Sequence, residues 1–267
     1  MGAFRIPGII SGGVAQFVKN MTIPDPVTAL AMLSHAVAPA SASKPARALT
    51  QAEARDITVY YALNRQLNLE KPIAFGNDMK PTFPKVGEKV RLGLDIGAVR
   101  FTPDSKAAAK WTRTGPMDMR MAVLVVRLAQ YLKSSRWGVT TIFWGGMGVG
   151  RDENDRHSKG FALDFHGAVT CSAQFDVWRD WGNQKITLPN GKQASRWPEA
   201  QLPYFRLDVD TPAGGFFYDV YHFLTREAAD AAKPSSIGDR SFILHPDTPD
   251  PSLRASHQDH IHCEIDR

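Results

Sequence analysis

Met121, Leu124, Val125, Leu128 and Leu132 recur at helical spacing, so residues 117–134 are expected to form an amphipathic helix. Upstream, Thr-Gln-Ala-Glu at Thr50–Glu53 has the form of a capping box and opens a predicted helix running to about Leu67. Residues 70–104 hold many Gly and Pro and brief apolar alternations such as KVRLGLDIGAVRF, which predicts short strands or an irregular stretch. GVTTIFWGG reads as a buried strand ended by glycines, and GFALDFHG as a second strand. Residues 219–232 read as a helix, and SFILHP and DHIHCEI as the last two strands. Residues 1–48 are rich in Ala, Pro, Ser and Gly without sustained periodicity, so they are expected to be a flexible leader or linker with one short helix. The folded domain is then 49–267, with 49–135 mainly helical or irregular and 136–267 strand-rich. Helices precede strands, which places the chain in the α+β class. No internal repeat is evident.

Composition narrows this only slightly. The chain has 267 residues, 43% hydrophobic, enough for one sizeable core. The net charge of +5 favours an anionic partner, but the charges are not clustered and no nucleic-acid motif occurs. No apolar run approaches the roughly 20 residues that cross a bilayer, so stable membrane insertion is not expected. Neither the N-terminal apolar stretch, broken by Pro7, Gly8, Gly12 and Gly13, nor VTALAMLSHAVAPASASKPA has the form of a secretory signal. A monomer is expected. Cys171 and Cys263 are too few for a disulfide framework; two free buried thiols are one reading and a single bridge the other.

The chemistry concentrates in two places. In SHQDHIHCEI, Ser256–Ile265, three of the eight histidines fall within six residues. Strand alternation puts His260, His262 and Glu264 on one face and turns Ile261, Cys263 and Ile265 into the core. Two imidazoles alone do not make a tight metal site, since catalytic zinc usually takes three protein ligands. The second place is RHSKGFALDFHG. His157 precedes the strand, Gly160 permits a tight turn, and Asp164 lies on the strand with Phe161, Leu163 and Phe165 on the opposite face. The turn can return His157 to Asp164, and His262 completes a His, Asp, His set for Zn²⁺. A zinc so held activates water and polarises a carbonyl. His166 shares the strand face of Asp164 and is a rival ligand. His222 reads as a helix residue and His245 as structural, while His35 receives no role. Trp178, Trp181 and Trp197 read as core or groove walls.

The pattern H-x6-D … H-x-H resembles the LAS metallopeptidases, named for lysostaphin, D-Ala-D-Ala peptidases and the sonic hedgehog fold. The spacing H-x-x-H-x-H is similar to penicillin-insensitive murein endopeptidases, and FILHPDTPDPSLRASHQDHIHCEI to the end of extensin-like C-terminal domains. The resemblance covers Val139 to Arg267 and does not extend to residues 1–116. It implies a hedgehog-like core, a small antiparallel sheet carrying the zinc site and flanked by helices, and a zinc peptidase, of endopeptidase or D,D-carboxypeptidase type, cutting peptidoglycan peptide bonds in the cell envelope. With no clear secretory signal, delivery is expected by phage lysis, by specialised secretion or by an export signal of another form. It implies His157, Asp164 and His262 as zinc ligands. His260 would handle the proton or the oxyanion. Asp259 stands where dipeptidase-like members carry a Glu and is the other candidate base, or an orienting group, although an ideal strand turns it away from the metal. Arg151 follows the strand where relatives carry Tyr-Arg and would bind a substrate carboxylate; His257 would touch substrate at the rim. A binding module that has lost catalysis, or a hydrolase of another amide, are the competing expectations.

Overall fold

The computed structural model describes residues 38–73, 82–104, 110–150, 152–181, 186–187, 193–194, 209–229, 243–248 and 251–265. The chain is α+β, with five helices and a mixed seven-stranded sheet among the described residues.

The first helix, α1 (Gln51–Leu63), begins at the expected capping box: the Thr50 hydroxyl accepts from the Glu53 amide, and the Thr50 amide donates to the Glu53 carboxylate. It stops at Leu63, short of Leu67, because Arg65 turns to a φ of 57° that no helix accommodates. Strands β1 (Asp95–Ile96) and β2 (Val99–Pro103) follow, then helix α2 (Met119–Ser134). The Asp118 carboxylate caps α2 by accepting from the Arg120 amide. The helix is more deeply enclosed than an amphipathic pattern implies. Besides the five periodic residues, Met119, Arg120, Ala122, Val123, Val126 and Ala129 are buried. It packs against α1 and carries the chain from β2 to β3 (Thr141–Gly145), which pairs parallel to β2. A parallel pair needs such a crossover, and α2 supplies it. The sheet is therefore mixed, not the small antiparallel one expected, and strands from before residue 104 share it with the rest.

Beyond β3 every pairing is antiparallel. Strand β4 (Ala162–Val169) is central, flanked by β3, by short β5 (Gln174–Asp176) and by β9 (Ile261–Glu264). Helix α3 (Val177–Asp180) follows β5; β6 (Ile186–Thr187) and β7 (Gln193–Ala194) form a separate ribbon. Helix α4 (Pro212–Ala228) starts and ends earlier than the expected 219–232. Thr211 caps it, Pro212 stands at its first turn, and Phe216 and Phe217 are wholly buried. That burial outweighs the helix cost of Gly214 and Gly215, which conceal the start in the sequence. Strand β8 (Ile243–Leu244) pairs with β9, and helix α5 (Pro251–Ser256) leads into the histidine-rich segment.

Residues 38–48, expected as part of a leader, lie on this body. Ala46 is buried and donates its amide to Glu227. Arg127 donates to the carbonyls of Ala42 and Lys44 and pairs with Glu227 at 2.8 Å. Both cysteines are free; Cys263 is buried, which pushes its thiol pKa up, and Cys171 is exposed, contrary to the expectation for a buried pair. Among the described residues no helix is long and apolar enough to cross a membrane.

Candidate metal centre

Asp164 on β4 lies directly opposite His262 on β9, with Gly145 of β3 on its other side. Opposed residues share a face, so one row across three strands presents a carboxylate beside an imidazole. The reverse face is core: Leu163, Phe165, Ile261 and Cys263 are all fully buried. The histidine face is covered as well, since His262 is 5% and Glu264 6% exposed. A polar strand face sealed in this way needs internal partners for its polar atoms.

The cover includes the 152–160 turn. Asp152 accepts from the amides of Asn154 and Asp155, and Asp155 accepts from the His157 amide. Gly160 closes the turn at a φ of 77° and donates to the His157 carbonyl. The turn returns His157 to Asp164, as the sequence implies. Gly146 has a φ of 72°, and any β-carbon on it would run into the His157 imidazole. The glycine just after β3 is thus required twice, by backbone and by ring.

Four imidazoles meet around Asp164, and each has one nitrogen held by an oxygen. His157 Nδ1–H donates to the Gly146 carbonyl at 3.1 Å, which leaves the Nε2 lone pair facing Asp164 Oδ1 at 3.4 Å. His260 Nδ1 is held by Asp259 Oδ1 at 2.7 Å, and its Nε2 also stands 3.4 Å from Asp164 Oδ1. His262 reverses the pattern: Nε2 is held by Glu264 Oε1 at 3.0 Å, and Nδ1 meets Asp164 Oδ1 at 2.7 Å. His257 Nδ1 is held by the Leu253 carbonyl, and its ring lies 4.9 Å from that of His260 and 5.1 Å from that of His262.

These spacings suit a cation. Ligand atoms about 2.0–2.1 Å from a tetrahedral ion stand about 3.3–3.4 Å apart. The Asp164 contacts of His157 and His260 match that edge, and the His262 contact is the length of a charge-assisted hydrogen bond. His157, Asp164 and His262 form one group able to hold a metal ion; His257, His260 and His262 form a second; His166, Asp259 and His260 form a third.

The electrostatics follow from the same contacts. Burial opposes charge on Asp164, but the hydrogen bond and charge of His262, with the charges of His260 and His157, hold its carboxyl well below the usual range. Burial opposes charge on His262 too, yet Asp164 and Glu264 raise its pKa to about 9. In His157 burial prevails, aided by repulsion from His262, and the pKa is lowered despite Asp164. His257 is pushed down to about 4 by burial and by His262. It is therefore neutral near pH 7, and with Nδ1–H committed to Leu253 its Nε2 accepts and does not donate.

The structure thus brings together His157, Asp164, His262, His260 and His257. His257 is packed into the cluster, deeper than the rim position expected of it. Asp259 is bonded to the far nitrogen of His260, so it orients that ring. Arg151 lies outside the described residues, as do His35 and Trp197. His166 belongs to the third group, beside His260. Three participants carry no clear signal in the sequence: Gly146, Arg156, which stands 3.6 Å from Glu264, and Asp104, 3.5 Å from His166. Glu264 falls on the histidine face by alternation, and its spacing of two from His262 is the clue to its role. His222 is exposed on α4, while Trp181 is core and Trp178 exposed.

No protein-family model matches the chain, and no curated protein or solved structure matches it either.

Proposed function

We propose that the protein is a zinc-dependent peptidase of the LAS type, with a hedgehog-like core, that hydrolyses amide bonds in peptidoglycan peptides. The observation that carries this reading is the convergence of three imidazoles on one carboxylate, each imidazole fixed through its other nitrogen. Second nitrogens anchored to a carboxylate or carbonyl are the usual accompaniment of histidine ligands. His157 Nε2, Asp164 and His262 Nδ1 would hold the ion, which when bound supplies a Lewis acid that activates water and polarises a carbonyl.

The remaining residues have separable tasks. Asp259 is the orienting carboxylate and keeps a proton on His260 Nδ1. With Nδ1 so held, His260 Nε2 points its lone pair toward Asp164 and can take a proton from an attacking water and return it to the leaving amine. His257 Nε2, an acceptor, suits a substrate N–H. Glu264 and Arg156 hold His262 from behind. The net charge of +5 favours approach to an anionic wall. The reading places the protein's work in the bacterial cell envelope.

The test is incubation of purified sacculi with the protein, with and without chelator and penicillin, followed by separation of the soluble fragments. New amino groups on the peptides, suppressed by chelator and untouched by penicillin, are expected. Release of reducing sugars, or sensitivity to penicillin, would overturn the assignment.

A further inference from the structure

The row that joins Gly145, Asp164 and His262 has a neighbour. Two residues along each strand, about 7 Å away, the same face carries His166 on β4 and His260 just before β9. Their rings lie 5.2 Å apart. His166 and His260 are both largely buried, with side chains 13% and 12% exposed, whereas Asp259 is 53% and Asp104 50% exposed. Ligand atoms of His166, Asp259 and His260 all lie within 4.8 Å of one another. The Asp104 carboxylate reaches within 3.5 Å of His166 Nδ1, and its amide donates to the Trp144 carbonyl, which ties it to the sheet.

From this second row we propose an outer site for a divalent cation of zinc or cobalt type, built from His166, His260 and Asp259, with Asp104 orienting His166. Two imidazoles and a carboxylate are a donor set for borderline metals. The two rings are fixed by packing, and the half-exposed Asp259 side chain can swing to close the remaining distance. Solvent access through Asp259 and Asp104 lets an ion enter without disturbing the inner row.

The outer site rests on the proposed function in one respect: it treats His260 as the proton-handling residue and not as an inner ligand. His260, in the second row, then links it to the first, Nε2 toward Asp164 and Nδ1 toward Asp259. An ion taking Nδ1 moves the ring's proton to Nε2. The ring then donates but no longer accepts a proton, so excess metal inhibits hydrolysis.

The experiment is equilibrium dialysis of the full chain against Co²⁺ or Zn²⁺ alone, with wild type, His157→Ala, His166→Ala and Asp259→Asn. Wild type is expected to take up two ions, the second more weakly. His166→Ala should lose the second by more than about 100-fold in affinity, beyond what an indirect metal partner costs. Asp259→Asn, a change at a half-exposed position, should weaken the same ion without endangering the fold. Inhibition by excess metal should disappear in His166→Ala. A single wild-type ion, lost in His157→Ala and kept in His166→Ala, overturns the outer site and leaves the inner centre standing. A single ion lost in His166→Ala and kept in His157→Ala does the reverse. Retention of the second ion at wild-type affinity in both outer variants overturns the outer site.

Discussion

His262 on β9 and His245, just past the end of the neighbouring β8, lie close together, yet their environments drive them in opposite directions. Leu244 of β8 pairs with His262 of β9, and His245 is the next residue. Both rings are buried. His262 lies between Asp164 and Glu264, and its pKa rises to about 9. His245 lies against Trp181, stacked at 5.5 Å, and Tyr221, edge-on at 5.1 Å, with its Nδ1 accepting from the Asp247 amide. Burial, then His257, pushes it down to about 3. Burial alone therefore does not decide the charge of a histidine. Two carboxylates turn one ring into a place for positive charge, and an aromatic enclosure turns the other into a neutral core residue.

The largest effect should come from removing the inner ligands. His157→Ala, Asp164→Ala and His262→Ala should each strip the roughly one zinc per chain that the site is expected to hold. His245→Ala should keep it. Elemental analysis after purification decides this, and undiminished zinc in the three ligand variants would sink the assignment. Next comes His260→Ala, which should retain zinc while hydrolysis falls by roughly 10²-fold or more, the scale of a positioned acid–base group. Loss of the inner zinc in that variant would make His260 an inner ligand, and full activity would make it a bystander.

How much of this contrast is legible in the sequence depends on range. Alternation along Ile261, His262, Cys263 and Glu264 is a property of four consecutive residues, and it correctly separates core from histidine face. The capping box at Thr50 is equally local. What stays hidden depends on partners far along the chain. The parallel pairing of β2 with β3 arises only once α2 has crossed the sheet. The early start of α4 runs through Gly214 and Gly215, whose unfavourable propensity is overridden by the burial of Phe216 and Phe217. The aromatic enclosure of His245 joins Trp181 and Tyr221 from separate elements. The covering of Glu264 by Arg156 is of the same kind.

A smaller effect should follow from the group behind His262. Glu264→Gln keeps the shape but removes the carboxylate that accepts from Nε2. Zinc affinity should fall by about 10–100-fold, the range for such partners, with hydrolysis by the zinc-saturated protein less affected. Competition with a coloured chelator measures it, and unchanged affinity would mean that Asp164 alone sets the charge on His262.

The smallest effect concerns stability of the metal-free protein against pH, where the two histidines should act at opposite ends. His245 has a folded pKa of about 3, below its ordinary value of 6.5. Its contribution is present above about pH 6.5 and is lost as pH falls toward 3. At pH 5 the loss is about 2 kcal/mol, since each pH unit between the two values is worth about 1.4 kcal/mol. His262 has a folded pKa of about 9, raised from 6.5. Its contribution is present below about pH 6.5 and is lost as pH rises through 9. Denaturant unfolding across roughly pH 4 to 10 should therefore show an acid limb that flattens in His245→Phe and an alkaline limb that does not. Adding zinc should flatten the alkaline limb, because an ion on His262 Nδ1 replaces the proton whose loss produces it. Equal acid limbs in wild type and His245→Phe would show that the aromatic enclosure does not hold His245 neutral.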